Sequence, residues 1–128
     1  MKDIIKTDQA PAAIGPYSQA VKSGHLVFLS GQIPLDPMTM TLKSGFAEQA
    51  RQVFNNIKAV VEAAGGEMKQ IIKLTIYVTD LANLTTLNNV MSEYFEQPYP
   101  ARTAIQVVAL PKDAEIKIDG ILILDLSV

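Results

Sequence analysis

The chain has no cysteine, no tryptophan and a single histidine, His25, among its 128 residues. Without cysteine there is no disulfide, no thiolate metal site and no cysteine nucleophile, and a reducing compartment becomes the expectation. One histidine in a Ser23-Gly24-His25 turn carries no sign of the contacting base, orienter and nucleophile of a triad, and His25 is read as a turn residue. The HExxH and Cys/His patterns that hold zinc are missing, so no metal is expected. No apolar run reaches the ~20 residues that span a bilayer. The start, Met1-Lys2-Asp3-Ile4-Ile5-Lys6, also lacks the apolar stretch of a secretory signal. Charge is scarce as well: the net value is −2, too little to draw nucleic acid or anionic lipid. Glycine-rich phosphate loops are absent, since Gly24 and Gly31 lack the spacing and Gly65-Gly66 closes a helix instead of opening one. What remains is a soluble cytoplasmic chain forming one domain over residues 1–128, with 48% apolar residues to build a core.

Residues 17–22 and 26–33 are β-prone and flank Ser23-Gly24-His25, which reads as a hairpin turn. Residues 34–45, broken by Pro34, Pro37 and Gly45, read as a surface excursion. Phe46, Ala50, Val53, Ile57, Val60, Val61 and Ala64 recur at three- and four-residue steps, which predicts a helix over 46–64. Ser44 is placed to cap its start and Gly65-Gly66 to end it. A strand follows over 71–79, rich in β-branched residues. A second helix is expected over about 83–95, with Leu84, Leu87, Met91 and Phe95 inward. Strands over 102–110 and 115–126, joined by Pro111-Lys112-Asp113, complete an α+β domain of two layers. The last strand is apolar on both faces at Ile121-Leu122-Ile123-Leu124. A single helix layer covers one face only, so the other is expected to meet a second copy of the chain.

Arg102 follows the stiff run Pro98-Tyr99-Pro100, which places its backbone with little slack. Its planar fork of donors matches a carboxylate, although the residues alone favour an ordinary solvated strand arginine. Tyr17, behind Gly15-Pro16, either donates into a pocket or packs as a half-buried aromatic, and packing is the better reading taken alone. Gly31 in Ser30-Gly31-Gln32 permits close approach by a ligand, or marks a bulge, with equal weight. Periodicity puts Glu115, Lys117 and Asp119 on one strand face, ordinarily a solvated one.

Taken together these segments resemble the YjgF/RidA family, also called the L-PSP endoribonuclease or translation-inhibitor family. The motifs that carry the likeness are Ala13-Ile14-Gly15-Pro16-Tyr17-Ser18-Gln19-Ala20 and Phe28-Leu29-Ser30-Gly31-Gln32-Ile33-Pro34. They continue through residues 50–65 and 72–81, Asn88, Pro100-Ala101-Arg102 and Leu110-Pro111-Lys112-Asp113-Ala114. The resemblance implies a chorismate-mutase-like fold, with a mixed sheet of about six strands and two helices on one face. It also implies a homotrimer with clefts between subunits, and cofactor-free hydrolysis of 2-imino acids such as 2-iminobutanoate and 2-iminopropanoate to 2-keto acids and ammonia. By position, Arg102 would pair with the substrate carboxylate. Tyr17, Ser30 and Gly31 would line the pocket, Asn88 would lie near it, and Ala104 would serve through its backbone amide.

Two departures stand out. The family run Arg-Ser-Cys is here Arg102-Thr103-Ala104. The family's glutamate within Ile-Glu-Ile, which handles the attacking water, is here Lys117. Glu115 and Asp119 share its face but sit roughly 7 Å away along the strand. An ordinary lysine is an ammonium at neutral pH. Lys117 therefore either strengthens anion binding without activating water, or sheds its proton often enough to act as a base, helped by a nearby Arg102. The expectation is a deaminase of altered activity. The alternatives are a non-catalytic regulator that holds a small carboxylate and, fitting the charge balance poorly, a ribonuclease or translation inhibitor.

Overall fold

The structure, a computed structural model, describes residues 2–124. Six strands form one sheet in the order β1-β2-β3-β6-β4-β5. They are β1 (Asp3–Ile5), β2 (Ala20–Ser23), β3 (Leu26–Gln32), β4 (Ile71–Val78), β5 (Ala101–Gln106) and β6 (Ile116–Ile123). All neighbours run antiparallel except β4 and β5. That parallel pair needs a crossover, and α2 (Leu84–Met91) provides it. The Ser23-Gly24-His25 hairpin is present, with Gly24 in the left-handed region at φ 62°. Its first strand begins at Ala20 and not at Tyr17, because Gly15-Pro16 holds the preceding segment off the sheet. The last two strands are likewise shorter than expected, ending at Gln106 and Ile123. Residues 125 and 126, expected in the final strand, lie outside the described residues.

The helix α1 (Phe46–Ala63) buries Ala50, Val53, Phe54, Ile57, Val60 and Val61 against the sheet. The expected Ser44 cap is not made: Gly45, at φ 85°, is the N-cap residue and no side chain bonds there. Ser44 sits one residue too early to reach the free amides of the first turn. The exit is as expected. Gly65, at φ 86°, donates to the Glu62 carbonyl, and Gly66 donates to that of Val61, a Schellman arrangement. The second helix is shorter than expected, stopping at Met91, and the Ser92 hydroxyl donates to the Asn89 carbonyl. Leu87 and Met91 are buried and Leu84 partly so. Phe95, beyond the helix, still reaches the core edge-on to Phe54, centroids 5.8 Å apart.

Both helices cover one face. Val27, Leu29, Leu74, Ile76, Ile116, Ile118 and Leu122 are buried there. On the opposite face the register aligns Ile4, Val21, Phe28 and Ile121 across four strands. Phe28 is 47% exposed and Ile4 56%. Lone exposed apolar residues are ordinary, but a contiguous row is not. Ile121 and Ile123 lie on this open face and Leu122 on the helix side, as the doubly apolar sequence requires.

Candidate functional site

Arg102 lies on the edge strand β5, paired in register with the buried Leu74, so its side chain projects on the helix side. There Nη1 donates to Asn88 Oδ1 at 2.6 Å and approaches Met91 Sδ at 3.5 Å. Asn88 thus fixes one arm of the guanidinium from α2. Among the described residues no carboxylate comes within 4 Å of the rest of the fork. Arg102, Asn88, Met91, Ser92, Tyr99 and Pro100 enclose a shallow cavity of about 360 Å³. The neighbouring edge has donors without a partner among the described residues. Val107 N–H bonds the Val78 carbonyl, so alternation turns the amides of Thr103 and Ile105 toward β4. Those of Arg102, Ala104 and Gln106 face the open edge.

Tyr17, Ser30, Gly31 and Lys117 meet at a second cavity, of about 480 Å³, whose rim also holds Lys112. Ser30 N–H bonds the Gln19 carbonyl, and its hydroxyl donates to the Ser18 carbonyl at 2.6 Å. The pairing of β3 with β6 slips between Leu29 and Gln32, so Ser30-Gly31 is a bulge as well as a cavity wall. Tyr17 is half-exposed, and its hydroxyl oxygen accepts from Ile14 N–H at 3.3 Å, leaving its own proton free to donate. The Lys117 chain runs directly over Gly31. A Cβ at Gly31 would overlap Lys117 Cε and stand 3.3 Å from Cδ and Cγ. Glycine therefore leaves room for a lysine as well as for a ligand. Among the described residues no aspartate or glutamate lines this cavity. Asp119 is engaged elsewhere, accepting from the Tyr77 hydroxyl at 3.2 Å. Burial and that carboxylate push the Tyr77 hydroxyl above its ordinary range.

The two groups of residues do not meet within one chain. The row through Arg102 crosses β6 at Gly120, three residues from Lys117, which pairs with Tyr77. That amounts to about 10 Å along the strands and two strand spacings across, roughly 14 Å between the two Cα atoms. The odd offset also sends the side chains to opposite faces. The expectation that Arg102 lies beside Lys117 does not hold inside a single chain.

Buried amides that sequence reading did not single out hold the cavity walls. Gln19, 4% exposed, accepts from Thr7 N–H at 2.7 Å and donates to the Pro11 carbonyl at 2.8 Å. It thereby pins the segment that roofs the cavity. Asn56 donates to the Leu35 carbonyl at 2.9 Å, tying the 34–45 excursion to α1. Gln49 donates to the Lys43 carbonyl and accepts from Glu115 N–H. His25 is a turn residue, its carbonyl accepting from Leu124 N–H. Among the described residues no three acidic or histidine side chains converge as a metal set, and no helix is long and apolar enough to cross a membrane.

Residues 7–124 match the family model described as Endoribonuclease L-PSP. The crystal structure of RidA from the Antarctic bacterium Psychrobacter sp. PAMC 21119 superposes with a TM-score of 0.94 at 51% identity, covering 95% of this chain and 99% of that one. Escherichia coli TdcF with bound serine gives 0.93 at 43% identity, over 96% and 99% of the two chains. The 2-iminobutanoate/2-iminopropanoate deaminase of Dermatophagoides farinae is 42% identical over 125 residues, 97% of this chain and 98% of that protein. With a model match over nearly its whole length and relatives at this identity, the chain belongs to the YjgF/RidA family, the endoribonuclease L-PSP family.

Proposed function

We propose that this protein hydrolyses small 2-imino acids to 2-keto acids and ammonia without a cofactor. It does so as a homotrimer whose cleft joins Arg102 of one subunit to the Lys117 cavity of the next. The observation that carries this reading is the guanidinium of Arg102, oriented by Asn88 and bonded to no carboxylate among the described residues. Serine on TdcF and the deaminase of Dermatophagoides farinae point the same way, toward small amino-acid-derived carboxylates. The open sheet face and the free edge of β5 supply surface for a second copy.

In this reading Arg102 takes the carboxylate in a forked pair and so aligns the imine carbon. Tyr17 offers a hydroxyl proton, and the Ala104 amide, on the free edge, offers a donor toward the carboxylate. Water adds to the imine carbon, the C–N bond of the resulting carbinolamine breaks, and nitrogen departs as ammonia. Lys117 stands where the family's glutamate takes a proton from that water. Losing such assistance typically costs ~10²–10⁴-fold, whereas orientation can supply ~7–11 kcal/mol of barrier lowering. The protein is therefore a slowed deaminase in this reading.

The absence of a carboxylate among the described residues of the cavity lining favours a second reading, a regulator that binds a small carboxylate without turnover. The assay that decides generates imine in situ with an amino-acid oxidase and follows 2-keto acid formation. Wild type should accelerate it, Arg102→Ala should abolish the effect, and Lys117→Glu should enhance it. No acceleration at high protein concentration, with 2-keto acid binding intact, would establish the regulator instead.

A further inference from the structure

We propose that the cavity over Gly31 selects a 2-imino or 2-keto acid bearing a second carboxylate on its side chain, over acids with neutral side chains. The proposal rests on the reading above for the first carboxylate, which Arg102 holds.

Three observations on this chain's own residues carry it. First, among the described residues the cavity is lined by two cations, Lys112 and Lys117, and by no carboxylate. Neither lysine has a carboxylate within 4 Å among the described residues, although Lys43 and Lys69 each have one and Arg51 has two. Its walls include the apolar residues Ile14, Ile33, Leu35 and Pro111, which offer the cations no partner. A neutral side chain would leave both cations without a partner.

Second, the backbone holds Lys112 at the rim. Lys112 and Asp113 are successive non-glycine residues in the left-handed region, at φ 58° and 61°. Side chains seldom adopt that region, and it persists where surroundings enforce it. Here Asp113 N–H bonds the Leu110 carbonyl, Ala114 N–H bonds that of Pro111, and Ala114 is buried.

Third, Gly31 leaves the space through which the Lys117 stem passes over the cavity wall. At about 480 Å³ the cavity has room for a longer acid than one of four carbons. The replacement that removes a base thus adds a positive charge to the cavity.

Calorimetric titration of the full chain with 2-oxoglutarate, 2-oxobutanoate and inorganic phosphate tests this. Wild type should bind 2-oxoglutarate about tenfold more tightly than 2-oxobutanoate, with a steeper salt dependence, and phosphate more weakly than either. Lys112→Met and Lys117→Met keep an unbranched stem, and each should shrink the preference. The double variant should lose it, with 2-oxoglutarate affinity falling by more than 2-oxobutanoate affinity does. Equal or tighter binding of 2-oxobutanoate by wild type would overturn the proposal, as would a preference that survives in the double variant. Phosphate binding as tight as that of 2-oxoglutarate would also overturn it, by revealing a general anion patch. A preference for 2-oxoglutarate in a protein that accelerates no imine would uphold the selectivity and defeat the deaminase reading alone.

Discussion

Arg102 and Lys117 project from opposite faces of one sheet, roughly 14 Å apart by strand geometry, so neither can act on a ligand held by the other within a single chain. Each has its own cavity and its own supports. Arg102 is steadied by Asn88 on α2, and Lys117 lies along Gly31 on β3. A ligand that uses both must sit between two copies.

Gly31 and Lys117 share one volume. Gly31→Ala should cost little stability, because its Cβ meets the far end of a flexible side chain and Gly31 has no positive φ. The Lys117 ammonium should swing away, and 2-keto acid binding should change. Melting temperatures within ~2 °C of wild type, together with altered calorimetric affinity, would bear this out. A large loss of melting temperature would mean that the wall cannot give.

Gln19→Leu should be more damaging. It strips partners from Thr7 N–H and the Pro11 carbonyl, and leaving such groups unpaired costs about 1–3 kcal/mol each. Urea unfolding should show a destabilisation of that order. Amide exchange should rise over residues 7–12, whose last two members, Pro11 and Ala12, line the Lys117 cavity.

Arg102→Lys keeps the charge and loses the fork. Losing one charge-assisted bond of the pair costs about 1.5–3 kcal/mol, so 2-keto acid affinity should fall roughly 10- to 100-fold. Asn88→Ala should weaken binding less, by freeing the arm that its side-chain oxygen holds. Isothermal titration orders the two variants.

Acid should erode stability through Glu93. Arg51 binds it with two parallel bonds, Nε to Oε1 at 3.0 Å and Nη2 to Oε2 at 2.9 Å, and holds its carboxyl below the usual range. A lowered folded value means that the contribution is present above the ordinary glutamate value. It is lost as pH falls through the folded one. The melting temperature should therefore drop on acidification below about pH 4.5, and Glu93→Gln should flatten part of that limb.

Much of the fold was legible because it rests on local periodicity. The apolar stripe of α1, the Gly65-Gly66 exit and the β-branched run of β4 each announce themselves within a few residues. Strand β1 escaped notice because three residues at the sheet margin carry no pattern of their own. Gln19, Gln49 and Asn56 were invisible for another reason: their partners lie as far as 66 residues away, and a buried amide has no sequence signature. At the site, Tyr17, Ser30 and Gly31 line one cavity with Lys117, while Arg102, expected in the same pocket, lines another. Placing Arg102 beside Lys117 required the register between β4, β5 and β6, which no single strand's alternation reveals.

The central claim is that one cleft is completed by two copies of the chain, and subunit mixing tests it most directly. Arg102→Ala and a Lys112→Met/Lys117→Met double variant are each expected to bind 2-oxoglutarate poorly. Co-refolded in equal amounts, they should regain high-affinity sites at roughly a quarter of the wild-type number, by random pairing around a ring. No recovery of high-affinity sites from correctly assembled mixtures would contradict the account and place the ligand within single chains.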